Sequence, residues 1–167
     1  MSKTIKLCKG LDIKLQGAAE KKTTAVGMAS TYAVSPLDFE GIVPKMLVKV
    51  GDAVKAGTPL FFNKNNASVV FTSPVSGTVA AVVRGEKRRI LAVEIAADST
   101  IAYEEFGALD VKTATRDQIV ELLLKSGLWT LLIQRPYGII ANPADMPKSI
   151  FVSAFDSAPL APDYGYT

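Results

Sequence analysis

The chain contains no histidine, a single cysteine and a single tryptophan. Without histidine it lacks the commonest general base, the usual partner of a nucleophilic serine or cysteine, and the commonest zinc ligand. With Cys8 alone there is no internal disulfide, and no Cys-x-x-Cys pair exists to hold zinc or an iron–sulfur cluster. No clustered acidic motif suggests a carboxylate metal site. No Gly-x-Gly-x-x-Gly opens a helix and no Walker-type loop occurs, so no nucleotide phosphate site is visible. The net charge of +3 is too small to imply a nucleic-acid partner. No apolar run reaches the roughly 18 residues a membrane-spanning helix needs. The opening MSKTIKLCKGLD has no signal-peptide core. The expectation is a cytoplasmic chain, or one peripheral to a membrane on that side.

What is present is a soluble composition, 49% hydrophobic and 21% charged over 167 residues, enough for one ordinary domain or two small ones. From about Lys3 to Ala97 the pattern is β. IKL and DIKL alternate around Lys9-Gly10. KKTTAVGMASTYAV is rich in Thr, Val and Tyr, and KMLVKV, TPLFF, SVVFTS, GTVAAVV and RILAVEI follow. Gly-Asp, Lys-Ala-Gly, Asn-Asn, Pro-x-x-Gly and Gly-Glu punctuate these runs as turns. Short strands at close spacing predict a compact barrel or sandwich. A weak repeat aligns MLVKVGD (Met46 to Asp52) with AAVVRGE (Ala80 to Glu86), as two halves sharing one core would. Asp52 and Glu86 then read as turn formers rather than acid–base catalysts, pointing away from each other. The cluster RGEKRR, Arg84 to Arg89, reads first as a solvated hairpin, with a docking patch as the alternative.

After Asp98 the character changes. TRDQIVELLLKSG, Thr115 to Gly127, predicts a helix with a Thr115–Gln118 capping box, Ile119, Leu122 and Leu123 on one face, and Gly127 as its left-handed stop. WTLLI, Trp129 to Ile133, predicts a strand. SIFVSAF, Ser149 to Phe155, predicts a strand buried on both faces. A helix and two apolar strands make half of an α/β layer. Either the tail DSAPLAPDYGYT folds over it or the polypeptide continues, and continuation is the expectation. The predicted organisation is α+β, with a β domain over 1–98 and the start of an α/β domain over 99–167.

One stretch, VGDAVKAGTPLFFNKNNASVVFTSPVSGTV from Val50 to Val79, is similar to biotinyl and lipoyl carrier domains, the barrel-sandwich hybrids that bear a cofactor on a hairpin lysine. Lys64 occupies that place. Its neighbours Asn63 and Asn65 suit a turn, but carriers resemble Met-Lys-Met or Asp-Lys-Ala there. Lys64 also stands ten residues before Pro74, against about eight in carriers, which predicts a lengthened hairpin. An ordinary surface lysine is the favoured reading over a modified one. Arg135 and Tyr137, in RPYG, put a guanidinium and an aromatic ring beside a proline turn. They are candidates for contact with a planar ring or a phosphate, or else a loop anchored by Tyr137. Tyr103, Glu104, Glu105 and Phe106 read as linker packing or a surface turn, and Cys8 as a small core residue.

Several stretches together resemble the N-terminal part of the A subunits of the sodium-translocating NADH:quinone oxidoreductases (Na+-NQR), a peripheral, cytoplasmic component of these complexes. These are KGLDIKLQG, PKMLVKVGDAVKAGTPLF, FTSPVSGTVAAVVRGEKRRILAVEI and RPYGIIANPADMPKSIFVSAFDSAPLAPD, over about Lys9 to Asp163. LQGAAE departs from the pattern, with Ala19 where proline is expected. The resemblance implies a much longer full polypeptide, with an α/β part similar to the NADH-binding subunit of respiratory complex I. It implies a complex that carries electrons from NADH through FAD, FMN and an iron–sulfur centre to quinone while exporting sodium. It further implies a location on the inner side of the bacterial plasma membrane, membrane-embedded partner subunits, a link to quinone binding and no redox cofactor in this segment. A related subunit of the Rnf electron-transport complex carries cysteine-rich cluster motifs, which this chain lacks. The role expected of the segment is scaffold and assembly rather than chemistry, with a carrier domain using Lys64 or a free-standing interaction module as the alternatives.

Overall fold

A computed structural model describes residues 5–6, 16 and 20–153. Residues 28–146 form one compact unit. Its framework comes from short runs of Val, Phe, Ile and Thr, residues that suit a pleated, half-buried surface. Nine strands occur among the described residues: β1 (Thr31–Val34), β2 (Pro44–Met46), β3 (Ala53–Val54), β4 (Pro59–Asn63), β5 (Asn66–Thr72), β6 (Gly77–Arg84), β7 (Ile90–Ala97), β8 (Ile133–Gln134) and β9 (Ile139–Ile140). They pair antiparallel into a four-stranded sheet ordered β1-β7-β6-β3, a three-stranded sheet ordered β2-β4-β5, and the small β8-β9 hairpin. The first two sheets make the barrel-sandwich expected of the β region. Of KKTTAVGMASTYAV only Thr31–Val34 enters a sheet. Ile5 and Lys6 are in no strand. The rest of IKL, all of DIKL and Cys8 lie outside the described residues.

The two sheets close on one core. Leu60 and Phe61 of β4 and Val69 and Phe71 of β5 meet Val79 of β6 and Val93 and Ile95 of β7, all essentially buried. The Phe61 and Phe71 rings stack at 4.7 Å, and Phe39 meets Phe71 edge-on at 4.6 Å. Each such ring contributes about 1.5–3 kcal/mol by leaving water. The two copies of the repeat seen in the sequence do not form matching strands. Met46 ends β2 in the three-stranded sheet, while Ala80 to Arg84 run in β6 of the four-stranded one. The end of the first copy is tied to β6 where Gly51 N–H donates to Val79 O at 2.8 Å and Val79 N–H to Asp52 O at 2.9 Å.

Helix α1 (Arg116–Lys125) starts as its sequence dictates. Thr115 Oγ1 accepts from Gln118 N–H and the Gln118 side chain accepts from Thr115 N–H, completing the capping box. The face turned to the barrel is Val120, Leu123 and Leu124, at positions i, i+3 and i+4. Of the expected trio only Leu123 is on it. The helix ends at Gly127, whose φ of 77° is left-handed and whose Cα faces Thr72 of β5. A Cβ there would approach Thr72 Oγ1 to 2.8 Å. Only glycine meets both demands.

Two expected strands are corrected. Leu128–Leu131 is a 3-10 helix, and only Ile133–Gln134 of that region pairs as a strand. The side chains follow a period of three. Trp129 and Thr130 are buried, whereas Leu128 and Leu131, three apart, face out. Thr130 Oγ1 donates to Gly127 O at 2.8 Å, and Trp129 Nε1–H to Ala141 O at 2.7 Å, so the turn is pinned from both sides. In Ser149–Phe155, residues 149–153 are in no strand; Ile150, Phe151 and Val152 are exposed, and the last two residues lie outside the described set. An apolar run becomes a buried strand only beside partner strands, and none flanks it among the described residues. Among those residues no helix is long and apolar enough to cross a membrane.

Candidate functional site

The position that the sequence pattern singles out is the β4–β5 turn. Lys64 and Asn65 are its two turn residues, between paired Asn63 and Asn66, and both are exposed. The expected lengthening of this hairpin is therefore absent from the tip. The extra residues sit in β5 instead: Phe62 pairs Val70 and Asn63 pairs Asn66, leaving Ala67, Ser68 and Val69 as a bulge. Asn66 Oδ1 builds it, accepting from Ser68 Oγ at 2.7 Å and Ser68 N–H at 3.3 Å. Asn63 Oδ1 accepts from Asn65 N–H and Val43 N–H, both at 3.2 Å, and Lys64 N–H donates to Val43 O at 2.7 Å. The two asparagines thus shape the backbone. Lys64 meets the geometric requirement of a carrier lysine, an exposed side chain on a two-residue turn, while the Asn63 side chain before it is spent on the turn.

The Ser-Pro-x-x-Gly motif is also structural. Ser73 Oγ, buried, donates to Val75 O at 2.6 Å, while Ser73 N–H donates to Thr58 O and Gly57 N–H to Ser73 O. Four residues on, Gly77 runs so close to β7 that a Cβ would collide with the Ala96 carbonyl oxygen. Ser76, 1% exposed, accepts from Ala102 N–H at 2.9 Å. Thr58 Oγ1 donates to Glu104 Oε1 at 2.8 Å and accepts from Lys55 N–H at 2.9 Å. Ala56 N–H and Glu104 N–H complete a parallel bridge to the 102–104 segment. Thr58 and Ser76 are not singled out by the sequence, whereas Glu104 belongs to the stretch read there as linker packing. Only the fold reveals that they fasten the segment after β7 to the barrel. Asp52 closes its own turn, Oδ2 accepting from Lys49 N–H at 2.8 Å. Glu86 opens a 3-10 turn at residues 86–88. Neither carboxylate is brought into a catalytic arrangement.

Arg135 and Tyr137 sit exposed on the β8–β9 turn, which contains a cis Arg135–Pro136 bond and closes with Gly138 N–H on Gln134 O at 3.0 Å. They lie in neither of two open grooves. One, of about 210 Å³, runs between Phe106–Leu109 and the Gln118–Lys125 side of α1. The other, of about 420 Å³, follows the Thr58–Ser76–Glu104 fastening. The first is smaller than the roughly 300–1,000 Å³ of small-molecule sites, and the second is lined by groups already hydrogen-bonded to one another. The α1 N-terminus is occupied by the Thr115 and Gln118 side chains. Among the described residues no three His, Cys, Asp or Glu side chains converge.

Two family models match the chain. Residues 5–98 match the NqrA N-terminal barrel-sandwich hybrid domain, and residues 114–167 the NqrA second alpha/beta domain. Proteins named as the A-subunit of Na(+)-translocating NADH-quinone reductase are similar over nearly the whole chain. The one from Tolumonas auensis is 42% identical over 160 residues (94% of this chain), and that from Pseudomonas aeruginosa 39% over 161 residues (95%). The one from a Marinomonas species is 39% identical over 158 residues (93%). The chain spans 36% of the length of each of these relatives. A barrel-sandwich followed by an α/β segment, matched by both domain models and by relatives at this identity, establishes that the chain belongs to the NqrA family of the Na(+)-translocating NADH-quinone reductases.

Proposed function

We propose that this chain serves a sodium-pumping NADH:quinone oxidoreductase as a peripheral, cytoplasmic-face scaffold. In this reading its partners are the membrane-embedded subunits. The complex's FAD, FMN, iron–sulfur centre and quinone carry the chemistry, and this segment holds no redox cofactor. The observation that carries it is the β4–β5 turn: a carrier-type hairpin retained in shape, with the side chains of Asn63 just before Lys64 and of Asn66 two residues after it given over to folding the backbone. A barrel with that tip supplies a rigid body rather than a swinging arm. The division into 1–98 and 99–167 belongs to the same reading, supported by one family model ending at residue 98 and the next beginning at 114. Arg135 and Tyr137, exposed on one turn, are the residues proposed to face quinone or a neighbouring protein of the complex.

The test is affinity capture of the tagged native protein from gently solubilised membranes, followed by mass spectrometry. Co-recovery of flavin- and cluster-bearing membrane subunits is the expected result. Recovery only as a free soluble monomer overturns the scaffold reading. The second reading, a carrier modified on Lys64, rests on the exposure of that side chain at a two-residue turn. Intact mass of the protein from its own host decides it: a biotinyl or lipoyl adduct on Lys64 supports a carrier, and an unmodified lysine ends it.

A further inference from the structure

The net charge of this chain resides on one turn. Arg84, Lys87, Arg88 and Arg89 are four of its 19 basic residues and Glu86 is one of its 16 acidic ones; the remaining 15 of each sign cancel. The turn joins β6 and β7, each eight residues long and the longest strands among those described. All five charged side chains are exposed. Among the described residues no carboxylate pairs with Lys87, Arg88 or Arg89.

The backbone holds these cations at the apex. Lys87 and Arg88 have φ of 52° and 61°, consecutive left-handed residues that glycine or asparagine would fill with least strain. Gly85 N–H donates to Arg89 O at 2.8 Å and Arg89 N–H to Glu86 O at 3.1 Å. Arg84 Nη1 reaches across to Arg88 O at 3.1 Å, so one cation staples the turn that presents the others.

The turn offers charge and nothing else. Ile90 is buried, and Leu91 packs on Gly85. Protein interfaces are organised around an apolar or aromatic core, and single-stranded nucleic acid needs aromatic faces to stack on. Residues 84–89 contain neither. A layer of anionic headgroups requires only clustered cations, each contributing independently close to the surface. We infer that the β6–β7 turn is an electrostatic contact to anionic phospholipid at a membrane surface. The inference stands on charge placement and is independent of the proposed complex.

The test is co-sedimentation of the 167-residue chain with phosphatidylglycerol-containing vesicles, against pure phosphatidylcholine vesicles, at low and physiological salt. The wild type is expected to bind the anionic vesicles and to be released by salt. Lys87→Asn, Arg88→Asn and Arg89→Gln together, which keep residues that tolerate this backbone, weaken binding ~100-fold. Lys49→Gln, Lys112→Gln and Lys125→Gln together remove the same charge elsewhere and change binding less than about threefold. The single Arg89→Glu variant, at an ordinary backbone position (φ −59°), weakens binding ~30-fold without touching the left-handed residues. Equal loss in both triple variants means general charge attraction and overturns the inference. So does absence of vesicle binding combined with salt-sensitive capture of an acidic protein by the same turn.

Discussion

The two hairpin tips of the barrel divide what the carrier fold usually combines. The β4–β5 tip has the inherited position, with an exposed lysine at a two-residue turn. Its flanking side chains are committed inward, to Val43, Asn65 and Ser68. The β6–β7 tip is strained and charged, and its Lys87, Arg88 and Arg89 side chains pair with no carboxylate among the described residues. Four cations stand over two left-handed residues, with one internal staple. A hairpin whose Asn63 and Asn66 oxygens are used to fold the backbone has little beyond its lysine with which to recognise anything. One that spends backbone strain to display like charges is arranged for something outside the molecule.

The difference between the tips is open to test, beginning with the core beneath them. Phe61→Ala removes a fully buried ring stacked on Phe71, beneath the β4–β5 hairpin. It should cost about 3–5 kcal/mol, read as a lower denaturant midpoint, and should leave vesicle binding by any folded fraction intact. Gly127→Ala forces a side chain into a left-handed site against Thr72 at the far end of β5. A loss of roughly 2 kcal/mol is expected, and a loss below half of that means that the helix end shifts freely. Lys87→Gly with Arg88→Gly works in the other direction. Relief of two left-handed residues should raise stability by about 1 kcal/mol, while vesicle affinity falls. A simultaneous gain in stability and loss of binding is the clearest separation of the two tips. Lys64→Ala is the smallest change, within about 0.5 kcal/mol of wild type. A larger loss means that the Lys64 side chain, and not only its amide, anchors the turn.

Much of the barrel was legible because its signals are local. TPLFF, SVVFTS, GTVAAVV and RILAVEI became β4 to β7 nearly residue for residue, and the Thr115–Gln118 capping box formed as written. The failures have a common cause, in that tertiary partners decide them. WTLLI satisfies strand propensity, but Trp129 is drawn into the barrel core and bonds Ala141, so the chain winds into a 3-10 turn. Three residues of SIFVSAF have apolar side chains in water, with no strand beside them among the described residues. The ten-residue spacing from Lys64 to Pro74 suggests a longer loop. A bulge absorbs it, because Asn66 captures Ser68 through bonds that spacing alone does not reveal. The polar fastening of Thr58, Ser76 and Glu104 joins residues up to 46 apart and left no local signature. In the site, the sequence located Lys64 and the basic cluster; their opposite commitments came from the hydrogen bonds.

Trp129 is the only tryptophan in the chain, and it sits at the joint where α1 and the β8–β9 turn meet the barrel, 7% exposed and held by its indole N–H. The molecule therefore carries a built-in fluorophore at a single, defined seam. Its emission should be blue-shifted in the native state and move to the red when the helical layer lifts away. Far-ultraviolet dichroism follows the strands separately. If the colour changes at lower denaturant than the dichroism, the layer peels off a standing barrel; if the two coincide, the seam and the barrel are one cooperative body.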